Sequence, residues 1–455
     1  MTYTQRLAEF CANVSFTRLP PEVIEKAKLC MLDLIANVYG SLELEAVKGV
    51  VTRTRAQGGP EQATALACGF RTGLHPAAFL NGTLAEALEA QDGLRFGGNH
   101  PGVAVIPAAL AVAEDRGLGG RAMIEAIVAG YEVAGRVAAA MHPHHTLAGF
   151  LPTGTCGAFG ASVAASKLLG WNAEQTGNAL GIAGYLLPIS MAEHLMAGCT
   201  AKIVQGGQAA VAGLTAVELA AAGLTGPIDV LEGSELKRGF TQITTRAEPK
   251  LEKLIDGLGG HYSIQDIYFK PFTSCRHTHG AAQAALTLAR RKNFSLEDIE
   301  AVTVSTYTMA QVAVGKTVNT DSSFVAAQFS LPYVVAACLL DRDMGPAQLA
   351  PEKISDPARL KLARKIAVQV DAALSGRYPE YTASRVEVKL KNGRLLSEQV
   401  DAPKGDPRDP MTVADISAKL KRFAPRREAK ALEGLIQRVM ELERWNDMTE
   451  LAAMI

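Results

Sequence analysis

The sequence predicts a mainly α protein, with a large all-helical domain and a smaller α+β lid domain inserted before the C-terminal helices. Three observations lead there. Up to about residue 265, nearly every segment is an alanine-rich run with apolar residues at helical spacing, closed by glycine or a Gly-Pro turn. After that, "IEAVTVSTYT" is rich in β-branched residues, and "SRVEVKLKNGRLLSEQV" alternates apolar and polar residues around Asn392-Gly393, a strong hairpin signal. Beyond "KGDPRDPMT" the helical pattern returns. The expected division is therefore 1–265, completed by 401–455, with 266–400 as the lid.

In chain order, "MTYTQRLAEFCANVSF" starts as an amphipathic helix and lacks the basic and apolar regions of a signal peptide. "LPPEVIEKAKLCMLDLIANVYGSL" opens the alanine-rich series. "HPGVAVIPAALAVAEDRG", "GRAMIEAIVAGYEVAGRVAAAM", "TGTCGAFGASVAASKLLG" and "AEQTGNALGIAGYLL" continue it, and this half reads as all helix. The most apolar run, "GQAAVAGLTAVELAAAGL", carries Glu218 and many small residues, which suits a closely packed helix rather than a membrane span. In the lid, "HGAAQAALTLARRKN", "SLPYVVAACLLD" and "DPARLKLARKI" read as helices among the strands. "VADISAKLKRFA" and "REAKALEGLIQRVMELE" finish the chain and are expected to pack back on the first domain.

With 455 residues and 48% hydrophobic content, the chain can bury a large core. Lysine plus arginine and aspartate plus glutamate both total 46, so no net charge favours nucleic acid as a partner. Seven scattered cysteines without a CxxC pair point to a reducing, cytoplasmic setting.

The stretch "KPFTSCRHTHG", residues 270–280, concentrates reactive side chains. A zinc site would need three or four ligands, and "HPHH" at 142–145 is the only other dense patch, so no metal is expected. A nucleophilic Cys275 beside Arg276 and a helix start would have a lowered pKa, although small buried cysteines are common. The third reading is acid/base chemistry. His279 falls at the N-terminus of an amphipathic helix, with Lys270 and Arg276 just before it, and a helix N-terminus attracts anions and favours a neutral imidazole. Upstream, Pro101 suits a first helical turn, so His100 occupies a matching place. Glu89, Asp92 and Arg95 precede it, and carboxylates near a neutral histidine can orient it or share its proton work. Lys202 stands before an almost purely apolar helix, so its ammonium must face a cavity, a carboxylate or a substrate anion, or else snorkel from the helix end. "GFLPTGTCGAFG" is neither a P-loop nor a strand-linked GxGxxG, so no nucleotide cofactor is expected.

These residues resemble the MmgE/PrpD family, which includes 2-methylcitrate dehydratase, cis-aconitate decarboxylase and iminodisuccinate epimerase. "LPPEVIEKAKLCMLDLIAN", "NHPGVAVIPAALAVAE", "GYEVAGR", "PTGTCGAFGASVAASKLLG", "GLTAVELAAAGLTGP", "KPFTSCRHTHGAAQAA", "QFSLPYVVAACLLD" and "KGDPRDPMT" fall in family order. The resemblance implies a cofactor-free homodimeric enzyme acting on a small polycarboxylate, with the site between helical domain and lid, where His279 meets His100 and Lys202. The family's D-x-D-D-T pattern here reads "EAQDG", so Glu89 and Asp92 match the outer acids while Gln91 and Gly93 depart. G-[FY]-H-P-T becomes "GFLPT", with Leu151 in place of histidine, and Val211 stands near where a basic residue often occurs. These changes remove polar groups that would contact a tricarboxylate.

The expected chemistry is removal of a proton α to a carboxylate. His100 and His279 would be the acid/base pair, Lys202 the carboxylate or enolate binder, and Glu89 with Asp92 the orienting or relay groups. Arg276, Lys270, Arg95 and Cys275 would line the substrate. Dehydration is the leading expectation, with epimerisation or decarboxylation as alternatives, and a non-catalytic acid-binding protein on the same fold as the rival from another class.

Overall fold

The computed structural model describes residues 1–291 and 294–455, except the side chains of His194 and Met196. It is mainly helical with a small mixed sheet. The first half is built on long helices, Pro21–Ser41, Leu74–Glu86, Gly102–Asp115, Gly120–Met141, Pro152–Leu168 and Gln205–Ala221, most of whose residues are buried. Their small residues have a steric purpose. A Cβ on Gly160 would lie 2.6 Å from the Gly130 carbonyl oxygen, and one on Gly207 would lie 2.3 Å from that of Phe79. Backbones therefore pack almost in contact, and larger side chains would force the bundle apart.

This half is not wholly helical. Ala63–Ala65 pairs with Phe70–Thr72, and Gly93–Leu94 pairs with Ile267–Tyr268, both antiparallel. Strands of two or three residues are too short to leave a periodic trace in sequence.

The four-stranded sheet has the order Ile366–Val370, Ile299–Thr306, Ser384–Leu390, Leu395–Val400; the first pair is parallel and the others antiparallel. Asn392-Gly393 makes the expected hairpin, with Gly393 at φ +84°. The His279–Arg290 helix packs on this sheet and on the Leu331–Leu340 helix. Lys292 and Asn293, at the end of the predicted "HGAAQAALTLARRKN" helix, lie outside the described residues.

The Val413–Phe423 helix returns to Pro21–Ser41, where the Lys419 ammonium meets Asp33 Oδ1 at 2.6 Å. The Tyr39 hydroxyl donates to the Ile455 carbonyl at 2.6 Å, so the last residue also rests on this helix. Among the described residues, no helix is long and apolar enough to cross a membrane, and no three His, Cys, Asp or Glu side chains group as a metal site.

Candidate active site

Three acids spaced three apart, Glu86, Glu89 and Asp92, leave the end of the Leu74–Glu86 helix. Glu89 sits at φ +53°, a left-handed conformation unfavourable for a residue with a Cβ. Side chains from distant segments hold this turn. The Ala87 carbonyl accepts from Gln328 Nε2 at 2.9 Å, that of Glu89 from Lys270 Nζ at 3.1 Å, and that of Ala90 from Lys419 Nζ at 2.6 Å. The Asp92 carbonyl lies 2.6 Å from His100 Nδ1. The backbone of the turn is thus over-determined, and the strained Glu89 persists because its neighbours cannot relax.

The Glu89 carboxylate is held between two ammoniums. Lys270 Nζ is 2.6 Å from Oε1, and Lys202 donates to Oε2 while also lying 3.1 Å from Glu86 Oε1. Burial raises the Glu89 pKa, but Lys202 and Lys270 outweigh it and keep the carboxyl well below its ordinary range. Glu86 goes the other way. Burial raises it more than Lys202, the Gly206 N–H and Gln205 lower it. Two carboxyls three residues apart are therefore tuned in opposite directions, with Lys202 bridging them.

His100 keeps 15% of its side chain exposed, whereas Glu89 keeps 3% and Lys270 none. Its backbone N–H donates to Thr153 Oγ1 at 3.1 Å. Because Nδ1 faces a carbonyl, which can only accept, Nδ1 carries the proton and Nε2 presents a lone pair. Nε2 lies 3.9 Å from Glu89 Oε1. Burial, then the neighbouring Lys270, brings the imidazole pKa down to about 3, so the ring is neutral.

Several predicted residues take other places. Asp92 orients His100 through its carbonyl, not its carboxylate. That carboxylate accepts from the Tyr131 hydroxyl and the Gly102 N–H, and burial pushes it up to about 6. Arg95 and Arg276 do not present free guanidiniums. Arg95 pairs with Asp406 at 3.0 Å, and Arg276 donates to the carbonyls of Pro403 and Lys404, both at 2.9 Å, with Asp406 at 3.9 Å. The two arginines tie the 403–408 loop to the site. His279 begins its helix as expected but is fully buried, with Nε2 3.0 Å from the Ser274 carbonyl oxygen and its ring against Phe272; Nδ1 has no partner among the described residues. Cys275 is buried too, and burial, followed by the Glu89 charge, pushes its thiol up to about 12, against the lowering expected from a helix start. A thiol so rarely ionised is a poor nucleophile. Cys275→Ser is expected to retain most turnover, and a covalent adduct trapped on this sulfur during turnover would show otherwise.

Sequence reasoning passed over Glu86, His277, Lys419 and Gln328. Glu86 could have been found as the first acid of a three-residue spacing, "EALEAQD". His277 is half-buried, its Nδ1 on the Tyr307 hydroxyl, and among the described residues Nε2 is neither hydrogen-bonded nor sealed from solvent. Burial, then Lys270, lowers it to about 4. Lys419 and Gln328 left no local signal, since their partners lie 329 and 241 residues away.

The chain aligns with cis-aconitate decarboxylase of Aspergillus terreus at 28% identity, over 99% of this chain and 95% of the relative. It aligns with the cis-aconitate decarboxylase-like protein oryM of Aspergillus oryzae at 26%, over 99% and 97%. Residues 5–252 match the MmgE/PrpD N-terminal domain and residues 272–442 the MmgE/PrpD C-terminal domain, and the chain belongs to the MmgE/PrpD family.

Proposed function

We propose that this protein is a cofactor-independent lyase that removes the proton α to a carboxylate of a small polycarboxylate and expels water from the adjacent carbon. One observation carries the reading: a neutral His100 offers a bare Nε2 beside a carboxylate pinned by two buried ammoniums. His100 Nε2 takes the α-proton, and the electron pair moves into the substrate carboxylate as an enolate-like charge. Lys202 and Lys270 face that charge in a dry setting where fixed charges act strongly. The pair then forms the carbon–carbon double bond as the β-hydroxyl leaves, taking a proton to become water. His277, whose Nε2 is open, is the better placed donor of that proton than the sealed His279, once the carboxylates of the bound substrate offset burial and Lys270 and bring its ring to the imidazolium form. Glu86, with its raised pKa, can take up a proton when an anionic substrate adds negative charge beside Lys202.

Decarboxylation is the second reading, favoured by the names of the aligned relatives. It reaches the same enolate-like charge by loss of carbon dioxide, and the site then supplies a proton in place of removing one. Incubation with hydroxy and amino polycarboxylates and cis-aconitate in heavy water separates the outcomes. Dehydration gives α-deuterium exchange and an alkene. Decarboxylation gives carbon dioxide, and epimerisation gives exchange with inversion and no elimination. Binding without exchange or turnover across the panel would mean a non-catalytic acid-binding protein.

The working form is proposed to be a cytoplasmic homodimer. A groove of about 740 Å³ carries the exposed apolar side chains Tyr185, Ile189, Leu236 and Ile243 on its walls, the kind of patch that self-association covers. All seven cysteines are free thiols, which suits a reducing compartment.

A further inference from the structure

Tyr268 has no role in the scheme above, yet its hydroxyl and the His100 imidazole border the same glycine. Tyr268 is the cross-strand partner of Gly93 in the two-residue ladder that joins the acid turn to the segment before Lys270. A Cβ built on Gly93 would lie 2.5 Å from the Tyr268 hydroxyl oxygen, 2.6 Å from Cζ and 2.7 Å from His100 Nδ1. The phenol end and the imidazole therefore converge over one glycine. Gly93 is not among the positive-φ residues, so its backbone would accept any side chain and the requirement is for space. In this chain the phenol fills the volume that a side chain at position 93 would take.

The polar atom in that volume is unused. Tyr268 is 7% exposed, its hydroxyl makes no hydrogen bond among the described residues, and it is not among the polar atoms sealed from solvent. A buried tyrosine ordinarily finds a partner for its hydroxyl. Its ring is held by the Arg276 guanidinium, 4.9 Å from the ring centroid, which is itself held by the Pro403 and Lys404 carbonyls. The phenol is thus a donor beside the glycine that borders His100, with no hydrogen-bond partner among the described residues.

We propose that the Tyr268 hydroxyl hydrogen-bonds a carboxylate of the bound substrate beside His100, and that Gly93 is the small residue that admits it. The inference rests on the polycarboxylate reading above and adds one specificity contact to it. The phenol contributes a neutral donor near ammoniums that are shared with Glu86 and Glu89, so it recognises a carboxylate without adding charge.

The test uses tricarballylate, a tricarboxylate without a leaving group, and its monoamides as binding probes. Tyr268→Phe keeps the ring and removes only the oxygen. Its Kd for tricarballylate is expected to rise about 10- to 100-fold, the usual worth of a hydrogen bond to a charged group. The melting temperature should stay at the wild-type value. With the monoamide lacking the carboxylate that Tyr268 meets, wild type and variant should bind alike, a pattern that a merely structural tyrosine would not give. Equal Kd values for tricarballylate in wild type and variant, or the same loss on every monoamide, would overturn the proposal. Wild type that binds neither tricarballylate nor succinate would instead sink the polycarboxylate reading, and this inference with it.

Discussion

His100→Ala is expected to lower kcat by about 10²–10⁴-fold, the usual contribution of a positioned base, while the melting temperature stays near the wild-type value. Stability is spared because the ring is partly exposed and its loss leaves one carbonyl, that of Asp92, to be met by water in the space vacated. The variant should also lose α-hydrogen exchange in heavy water. His277→Asn should behave differently, retaining exchange but failing to complete elimination, because a proton donor acts after the α-proton has left. His279→Asn is the control: its ring is buried against Phe272, so its effect should fall on stability more than on exchange. A folded His100→Ala that turns over like wild type would remove the base from the scheme. Equal behaviour of the 277 and 279 variants would remove the distinction drawn between them.

Lys419→Ala is expected to cost about 3–5 kcal/mol of folding stability, read from urea or thermal unfolding, since it strands a buried Asp33 carboxylate. The two side chains are 2% and 1% exposed. Burial raises the Asp33 pKa despite Lys419, and burial lowers that of Lys419 despite Asp33. Both directions say that desolvation exceeds attraction in this pair. Replacing both partners, as Asp33→Leu with Lys419→Met, should therefore restore most of the stability. It should not restore kcat, because the Ala90 carbonyl still lacks the donor that helps hold Glu89 in its left-handed conformation. Recovery of kcat along with stability would show that Lys419 serves the fold alone.

How much could be read in advance follows from the range of each signal. The helices of the first half were legible because alanine-rich periodicity is local, and the Asn392-Gly393 hairpin because its turn chemistry lies in two adjacent residues. Lys270, Lys202, Glu89 and His100 were legible as candidates because a charged group in an apolar segment must find a partner, and here they found one another. The partners of Arg95 and Arg276 could not be read, because a guanidinium near a histidine looks alike whether it meets substrate, the distant Asp406 as Arg95 does, or the carbonyls of residues 403 and 404 as Arg276 does. The sequence singled out His279 and not His277 on similarly local grounds. Helix-start position was visible, but which of two alternating imidazoles faces inward depends on Ser274, Phe272 and Tyr307.

The clamp on the 87–92 turn has a consequence for the order in which the protein comes into being. During synthesis the acids emerge early, but the donors that hold them arrive much later: Lys270 for Glu89, Gln328 for Ala87, and last Lys419, 329 residues after Ala90. At ~5–20 residues per second, Lys419 follows Ala90 by roughly 15–65 s. For most of that time the nascent chain has these carboxylates unclaimed and Glu89 free to leave its strained conformation. Chemistry switches on only when the chain is almost complete, so an interrupted product lacks a working site.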